Sequence, residues 1–268
     1  MTQEIRHILS LSGGKDSTAL AIYLKDRIPD LEYVFCDTQK ELPETYEYLS
    51  RIEAHLNKKI VRLCSEEEGG RGFDHFMAIY RNYLPSPQMR WCTREMKIKP
   101  FENYIGDSPV HMYIGIRADE NREGYISSKT NITPRYPFKE DGITKEGVFR
   151  ILKESGLGFP TYYDWRTRSG CYFCFYQRKV EWVGLLENHP ELFKKAMAYE
   201  KPSEGYTWIQ GESLEELSRP DRVSKIKMEN VKRLEREKAQ RKNKTLAELF
   251  SGEVSEPDED AGCNICHL

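Results

Sequence analysis

The sequence predicts an α/β protein built on a doubly wound, mostly parallel five-stranded sheet with a C-terminal helical extension. Three observations carry that expectation. Short apolar segments of strand length alternate with longer segments of helical spacing between residues 5 and 116, the order that gives parallel strands joined by helical crossovers. The strand segments are apolar nearly throughout, as in sheets covered on both faces. A glycine-rich turn, Ser12-Gly13-Gly14-Lys15-Asp16-Ser17, separates the first such segment from the first helix, the position where an open α/β sheet binds its ligand.

Residues 5–11 (IRHILSL) form the first strand, and Leu20, Ile22, Tyr23 and Leu24 continue at roughly helical spacing to Ile28. Residues 31–36 (LEYVFC) give a second strand that ends at Asp37-Thr38. Pro43 to Leu56 reads as a helix, with proline near its start where a missing N–H costs nothing. Residues 59–64 (KIVRLC) are a third strand, and helical stretches follow near 73–82 and 94–105. Residues 110–116 (VHMYIGI) are the fourth strand; the fifth is not located. A helix near 145–155, a helical stretch over 175–199 and a basic helix over 219–244 complete the pass. The expected division is residues 1–140 for a nucleotide-binding domain, 141–218 for a helical region with a CxxC pair, and 219–268 for the basic helix and an acidic tail.

Composition narrows the class. Forty-one Lys and Arg stand against 43 Asp and Glu, a net charge of −2, which excludes a generally cationic nucleic-acid binder but not a local basic face. No apolar run approaches the roughly 18–20 residues of a membrane span, so no membrane partner is expected. Residues 1–11 lack an apolar signal core, and the chain is expected to be cytoplasmic. Seven cysteines (Cys36, Cys64, Cys92, Cys171, Cys174, Cys263 and Cys266) are an odd number in a chain that is not small and shows no sign of export, so a disulfide framework is not expected and metal, cluster or sulfur chemistry is the better reading.

The glycine-rich turn is a candidate phosphate cradle. Gly13 and Gly14 allow close backbone approach, the helix start presents N–H groups, and Lys15 adds a charge. Ser12 and Ser17 can donate hydroxyl bonds, and Ser10 at the strand end is counted with them. The alternative is a tight turn with an Asp or Ser cap. The pattern is not the GxxxxGK[ST] loop of kinase-type NTPases. It resembles the PP-loop, SGGxDS, of ATP pyrophosphatases, which cleave ATP between the α and β phosphates and adenylate a substrate oxygen.

Further segments resemble the phosphoadenosine-phosphosulfate (PAPS) reductase-like family. They are Phe35-Cys36-Asp37-Thr38 with Leu42-Pro43-Glu44-Thr45, Arg90-Trp91-Cys92 through Lys97-Ile98-Lys99-Pro100-Phe101, Gly115-Ile116-Arg117-Ala118-Asp119-Glu120 with Arg122, and Ser169-Gly170-Cys171 with Cys174. The resemblance implies the adenine nucleotide alpha hydrolase-like fold, ATP with Mg²⁺, and catalytic roles for Lys15, Asp16, Ser17, Arg117 and Asp119. Asp37, Thr38 and Gly115 join the nucleotide-binding set. For Asp37 the alternative is a helix N-cap, and for Arg117 a structural ion pair. The chain also departs from the reductases: its PP-loop is intact, Thr93 follows Cys92 where iron–sulfur reductases have a second cysteine, and the tail reads Cys263-Asn264-Ile265-Cys266-His267-Leu268.

Cys92, Cys171 and Cys174 are expected to hold a [4Fe–4S] cluster, with zinc or redox thiols as alternatives, and Cys266 as the fourth ligand ahead of Cys263 or His267. Cys36 and Cys64 end strands and are expected in the core. From 219 to 244, eleven Lys and Arg face four acidic residues, which fits a surface that tracks a nucleic-acid backbone, DNA before RNA. Aromatic residues between Tyr162 and Tyr176 can stack a base or pack around the cysteine centre. Within the family the motifs are most similar to the ATP pyrophosphatase of bacterial DNA phosphorothioation systems. That resemblance implies a cysteine desulfurase as sulfur donor and other modification-system proteins as partners. A tRNA thiolation enzyme and a sulfonucleotide reductase are the alternatives.

Overall fold

A computed structural model describes residues 4–65, 72–121 and 129–242. The elements are β1 (Arg6–Ser10), α1 (Lys15–Leu24), β2 (Glu32–Cys36), α2 (Pro43–Leu56), β3 (Ile60–Leu63) and α3 (Phe73–Ile79). A helical run follows, made of α4 (Trp91–Thr93), a π-helical turn (Arg94–Ile98) and α5 (Lys99–Ile105). Next come β4 (Val110–Tyr113), β5 (Ile132–Arg135), α6 (Pro137–Glu140) and α7 (Lys145–Glu154). The remainder holds α8 (Lys179–Asn188), α9 (Pro190–Met197), α10 (Leu214–Leu217) and α11 (Pro220–Lys242).

The sheet has five strands in the order β3-β2-β1-β4-β5, and every neighbouring pair is parallel. Alternate residues of each inner strand feed two cores. Leu9, Tyr33, Phe35 and Tyr113 join α1, α2 and α7 on one face, while Ile8, Val34, Cys36 and Met112 meet Phe101 and Ile105 of α5 on the other. Burial on both faces is why the strands read as apolar runs. β5 escapes the sequence reading because its four residues, ITPR, include Pro134; an edge strand tolerates the missing N–H.

Local chemistry sets the element ends. α2 starts at Pro43, buries Thr45, Tyr48, Leu49, Ile52 and Leu56 along one face, and stops at Asn57 in the left-handed region (φ 49°). The helical stretch expected over 175–199 contains two helices: His189 lies outside the helical region (φ −137°, ψ 64°) and Pro190 opens α9, because a proline forces its predecessor out of the helical region. The helix expected from 94 begins at Trp91 and widens to a π turn ahead of Pro100, whose ring and missing N–H disturb the ordinary ladder.

The described residues divide into two compact units, one formed within residues 4–164 together with 168–171, the other by 165–167 together with 172–242. α7 belongs to the first unit, since Val148 and Leu152 pack with Ala21 and Leu24 of α1 in one core. The second unit is organised around aromatic residues: Phe173 stacks on Trp208 at 5.0 Å between centroids, and Trp208 donates its indole N–H to Ala196 O at 2.9 Å. Tyr172 and Phe173 are thus core residues, buried at 4% and 2% exposure, and do not offer faces for a base. Among the described residues, no helix is long and apolar enough to cross a membrane.

Candidate functional site

The chain runs outward in one direction from β1 through β2 to β3, and in the other from β4 to β5. The switch point lies between the C-terminal ends of β1 and β4, where ligands bind in such sheets. After β1 comes the loop Ser12–Ser17; after β4 comes Gly115–Glu120. The two segments touch closely enough to demand glycine. A Cβ on Gly115 would lie 3.0 Å from the carbonyl carbon and oxygen of Asp16 and 3.2 Å from the Ser17 nitrogen.

The loop is held by its own side chains. Ser17 Oγ accepts from the Ser12 N–H at 3.2 Å, stands 3.1 Å from Ser12 Oγ, and donates to Gly14 O at 3.2 Å. Gly13 has φ +72° and Gly14 is extended, entering α1 at Lys15 without a side-chain cap. Helix α1 therefore presents its first N–H groups and its positive dipole end at the loop. Lys15 Nζ lies 3.4 Å from Asp16 Oδ2.

Arg117 joins the two segments. Its guanidinium is 2% exposed and contacts three carboxylates: Asp16 Oδ1 at 3.2 Å, Asp119 Oδ1 at 3.0 Å and Glu120 Oε1 at 2.9 Å. Burial alone would lower its pKa, but the three acids outweigh burial and raise it. The cation is therefore permanent, and Asp16 is oriented by it. Ser10 is buried at the end of β1, and Arg122 lies outside the described residues.

Beside the loop, at the C-terminal end of β2, Asp37 Oδ1 accepts from the Gln39 N–H and the Tyr46 hydroxyl, both at 2.8 Å. The helix N-cap alternative is not realised, because Leu42 takes that position on α2. Thr38 Oγ1 donates to Glu41 Oε1 at 2.9 Å and stands 3.1 Å from Cys171 Sγ, which in turn reaches Glu41 Oε1 at 3.7 Å. Ser169 Oγ donates to Ser12 Oγ at 3.2 Å. The segment Arg168–Cys171 thus brings one thiol of the CxxC pair to the strand end that adjoins the glycine-rich loop.

The cysteines separate by environment. Cys36 is core, donates to Lys97 O at 3.6 Å, and has its pKa pushed up to about 12 by burial. Cys64 is exposed, contrary to expectation, because β3 is an edge strand that ends at Leu63. Cys92, on α4, and Cys171 and Cys174 are half-buried; Cys171 belongs to the first unit and Cys174 to the second. Among the described residues, no group of three or more His, Cys, Asp or Glu side chains is gathered to hold a metal ion. The expected fourth ligand Cys266, with Cys263 and His267, lies outside the described residues.

Residues that the sequence reading did not assign to the loop also belong to it. Tyr162 donates its hydroxyl to Gly13 O at 3.0 Å, and Tyr163 OH accepts the Lys15 N–H at 3.0 Å. They lie far from the motif in sequence, and their only signal was membership of an aromatic-rich stretch.

Fold and site together define an α/β protein with a glycine-rich loop and a helix N-terminus at the switch point of its parallel sheet. Residues 6–133 match the family model of the phosphoadenosine phosphosulfate reductase domain. The chain is 26% identical to an adenosine 5'-phosphosulfate reductase of Staphylococcus haemolyticus, over 62% of this chain and 69% of that one. It is 29% identical to the tRNA-specific 2-thiouridylase MnmA of Hydrogenovibrio crunogenus, over 46% and 36%. Two uncharacterized proteins of Methanocaldococcus jannaschii are 24% and 27% identical, and the chain spans only 45% and 40% of their lengths. Among solved structures, a PAPS reductase of Candida auris, in a phosphate complex, superposes with a TM-score of 0.51 at 13% identity, covering 63% of this chain and 82% of that one. Over residues 6–133 the chain is thus similar to the phosphoadenosine phosphosulfate reductase domain, and over shorter stretches to a sulfonucleotide reductase and to a tRNA-specific 2-thiouridylase.

Proposed function

We propose that the protein is an ATP pyrophosphatase that adenylates an oxygen of a nucleic acid, a DNA backbone phosphate first among the candidates, so that sulfur can replace it. The observation that carries this reading is the intact loop, with Gly13, Gly14 and the start of α1 turned to the switch point and Gly115 packed against it. In this reading the backbone N–H groups of the loop and Lys15 hold the β and γ phosphates, and Ser12 and Ser17 bond their oxygens. Charge that develops on the departing pyrophosphate is met by donors already in place, the usual source of rate in such transfers. Asp16 and Arg117 position the loop against the turn after β4, and Asp119 completes that pairing. Asp37, beside the loop, is the residue proposed to meet Mg²⁺ on ATP, with Thr38 at its side.

Adenylation makes AMP the leaving group, and a sulfur nucleophile then displaces it. Cys171 at the β2 end is near enough to the loop to take part, with Cys92 and Cys174 as further members of a proposed [4Fe–4S] or zinc centre. A [4Fe–4S] cluster bound there would carry sulfur delivered from a cysteine desulfurase. The cations of α11 are the proposed contact to nucleic acid.

A tRNA substrate is the second reading, favoured by the similarity to a tRNA-specific 2-thiouridylase. Mass spectrometry of nucleosides from cells with and without the gene tests both. Loss of phosphorothioate dinucleotides from DNA is the expected result. Loss of a thionucleoside from tRNA instead transfers the activity to RNA, and no change in either overturns the proposal.

A further inference from the structure

The phosphate loop is covered in this structure by part of its own chain. A 3₁₀ turn, Thr161–Asp164, sets two tyrosines side by side, their ring centroids 4.8 Å apart. Tyr162 is fully buried, and its hydroxyl donates to the Gly13 carbonyl at 3.0 Å. That bond fixes the peptide following a left-handed glycine. Tyr163 does something different. Its hydroxyl oxygen accepts the N–H of Lys15 at 3.0 Å, and the Lys15 ammonium stands over the same ring at 5.6 Å from its centroid.

The Lys15 amide is the first N–H of α1, and an oxygen already sits on it with hydrogen-bond geometry. A phosphate oxygen that takes this N–H needs the same place. Burial raises the Tyr163 hydroxyl above the ordinary phenol value although the Lys15 ammonium opposes the shift, so the oxygen is that of a neutral phenol. A phosphate oxyanion is the stronger acceptor for an amide at a helix N-terminus, since charge-assisted bonds are roughly twice as strong as neutral ones.

We propose that Tyr163 is a residue of the phosphate site, a placeholder whose hydroxyl holds the Lys15 amide and is exchanged for an oxygen of the nucleotide triphosphate or of pyrophosphate. Tyr162 is the fixed partner of the pair and keeps the loop in its binding shape. The inference rests on the reading of Ser12–Ser17 as an ATP loop and adds the residue against which phosphate competes. The exchange breaks one neutral hydrogen bond and makes no covalent change.

Titration calorimetry with inorganic pyrophosphate and with ATP, on the wild-type protein, Tyr163→Phe and Tyr162→Phe, tests it. Tyr163→Phe keeps the ring and removes the competing oxygen, so both ligands should bind about two- to tenfold tighter, the value of one neutral hydrogen bond. Tyr162→Phe removes the same atom from the neighbouring residue and should weaken both by a similar factor. Opposite shifts cannot come from a general loosening of the fold. Equal or weaker binding by Tyr163→Phe, with a wild-type protein that binds, overturns the placeholder and leaves the ATP loop standing. No binding of either ligand by any of the three proteins overturns both.

Discussion

At the scale of single residues, the site depends on two residues that are unlike in size and alike in intolerance. Gly115 has no side chain because Asp16 backbone atoms lie 3.0 Å from where one would begin. Gly115→Ala must push the turn after β4 away from the loop, an overpacking that costs about 1–3 kcal/mol. The expected result is a weaker ATP affinity and a lower melting temperature together, read by calorimetry and thermal melting. Arg117 is the opposite case, a buried cation among three carboxylates. Arg117→Met leaves those acids facing one another without a counter-charge, a loss of about 3–5 kcal/mol for a broken buried pair, and thermal melting should show it as a large drop. Both residues were legible in the sequence as family motif members, but their physical reasons were not. The close approach at Gly115 and the sharing of Arg117 join segments about a hundred positions apart. Tyr162 and Tyr163 were misread for the same reason: a tyrosine that bonds a distant loop looks, in sequence, like any aromatic residue.

At the scale of elements, most strands and helices were readable because each satisfies a local rule. α2 runs over Pro43–Leu56 as its starting proline and apolar spacing indicate. β5 was not placed because four residues with an internal proline carry no strand signal, and only pairing with β4 makes them one. Cys64 was misassigned because a strand of core residues and an edge strand look alike until the sheet order is known. In the second unit, α8 has a glycine that sequence alone would call a weakness. A Cβ at Gly184 would come within 2.6 Å of the Trp165 ring, so Gly184→Ala, helix-favouring by propensity, should instead lower the melting temperature. α11 is tied down by Glu212, which accepts from Arg222 and from Lys179. Those bonds, Arg222 first and Lys179 next, hold its carboxyl at about 2, well below 4.5, against the opposing effect of burial. The folded pKa is depressed, so the stabilisation is present above the ordinary carboxylate value and is lost as pH falls toward 2. Glu212→Gln should lower stability near neutral pH and flatten the decline between about 4.5 and 2. An unchanged acid limb in a pH series of melting curves would contradict that assignment.

At the scale of the whole molecule, the near-neutral charge total conceals an uneven distribution. α11 is a helix of 23 residues, about 35 Å long, with Lys225, Lys232 and Arg236 exposed along it. Some neighbouring cations are engaged within the unit: Arg222 with Glu212, Lys227 with Glu187 and Arg233 with Glu237. Reversing Lys225, Lys232 and Arg236 to Glu should weaken duplex DNA binding and reduce the salt slope by about three, one for each phosphate no longer neutralised. ATP cleavage without nucleic acid should be unaffected. A salt titration of binding by fluorescence anisotropy reads the slope, and an unchanged slope would place the nucleic-acid surface elsewhere.

The central claim is that the intact loop cuts ATP between its α and β phosphates. Incubation of the protein with ATP labelled at the α phosphate, with Mg²⁺ and nucleic acid, and separation of the labelled products tests it most directly. The account predicts labelled AMP with an equal amount of pyrophosphate, both lost in Lys15→Ala. Labelled ADP with inorganic phosphate, or AMP formation unchanged in Lys15→Ala, would contradict it.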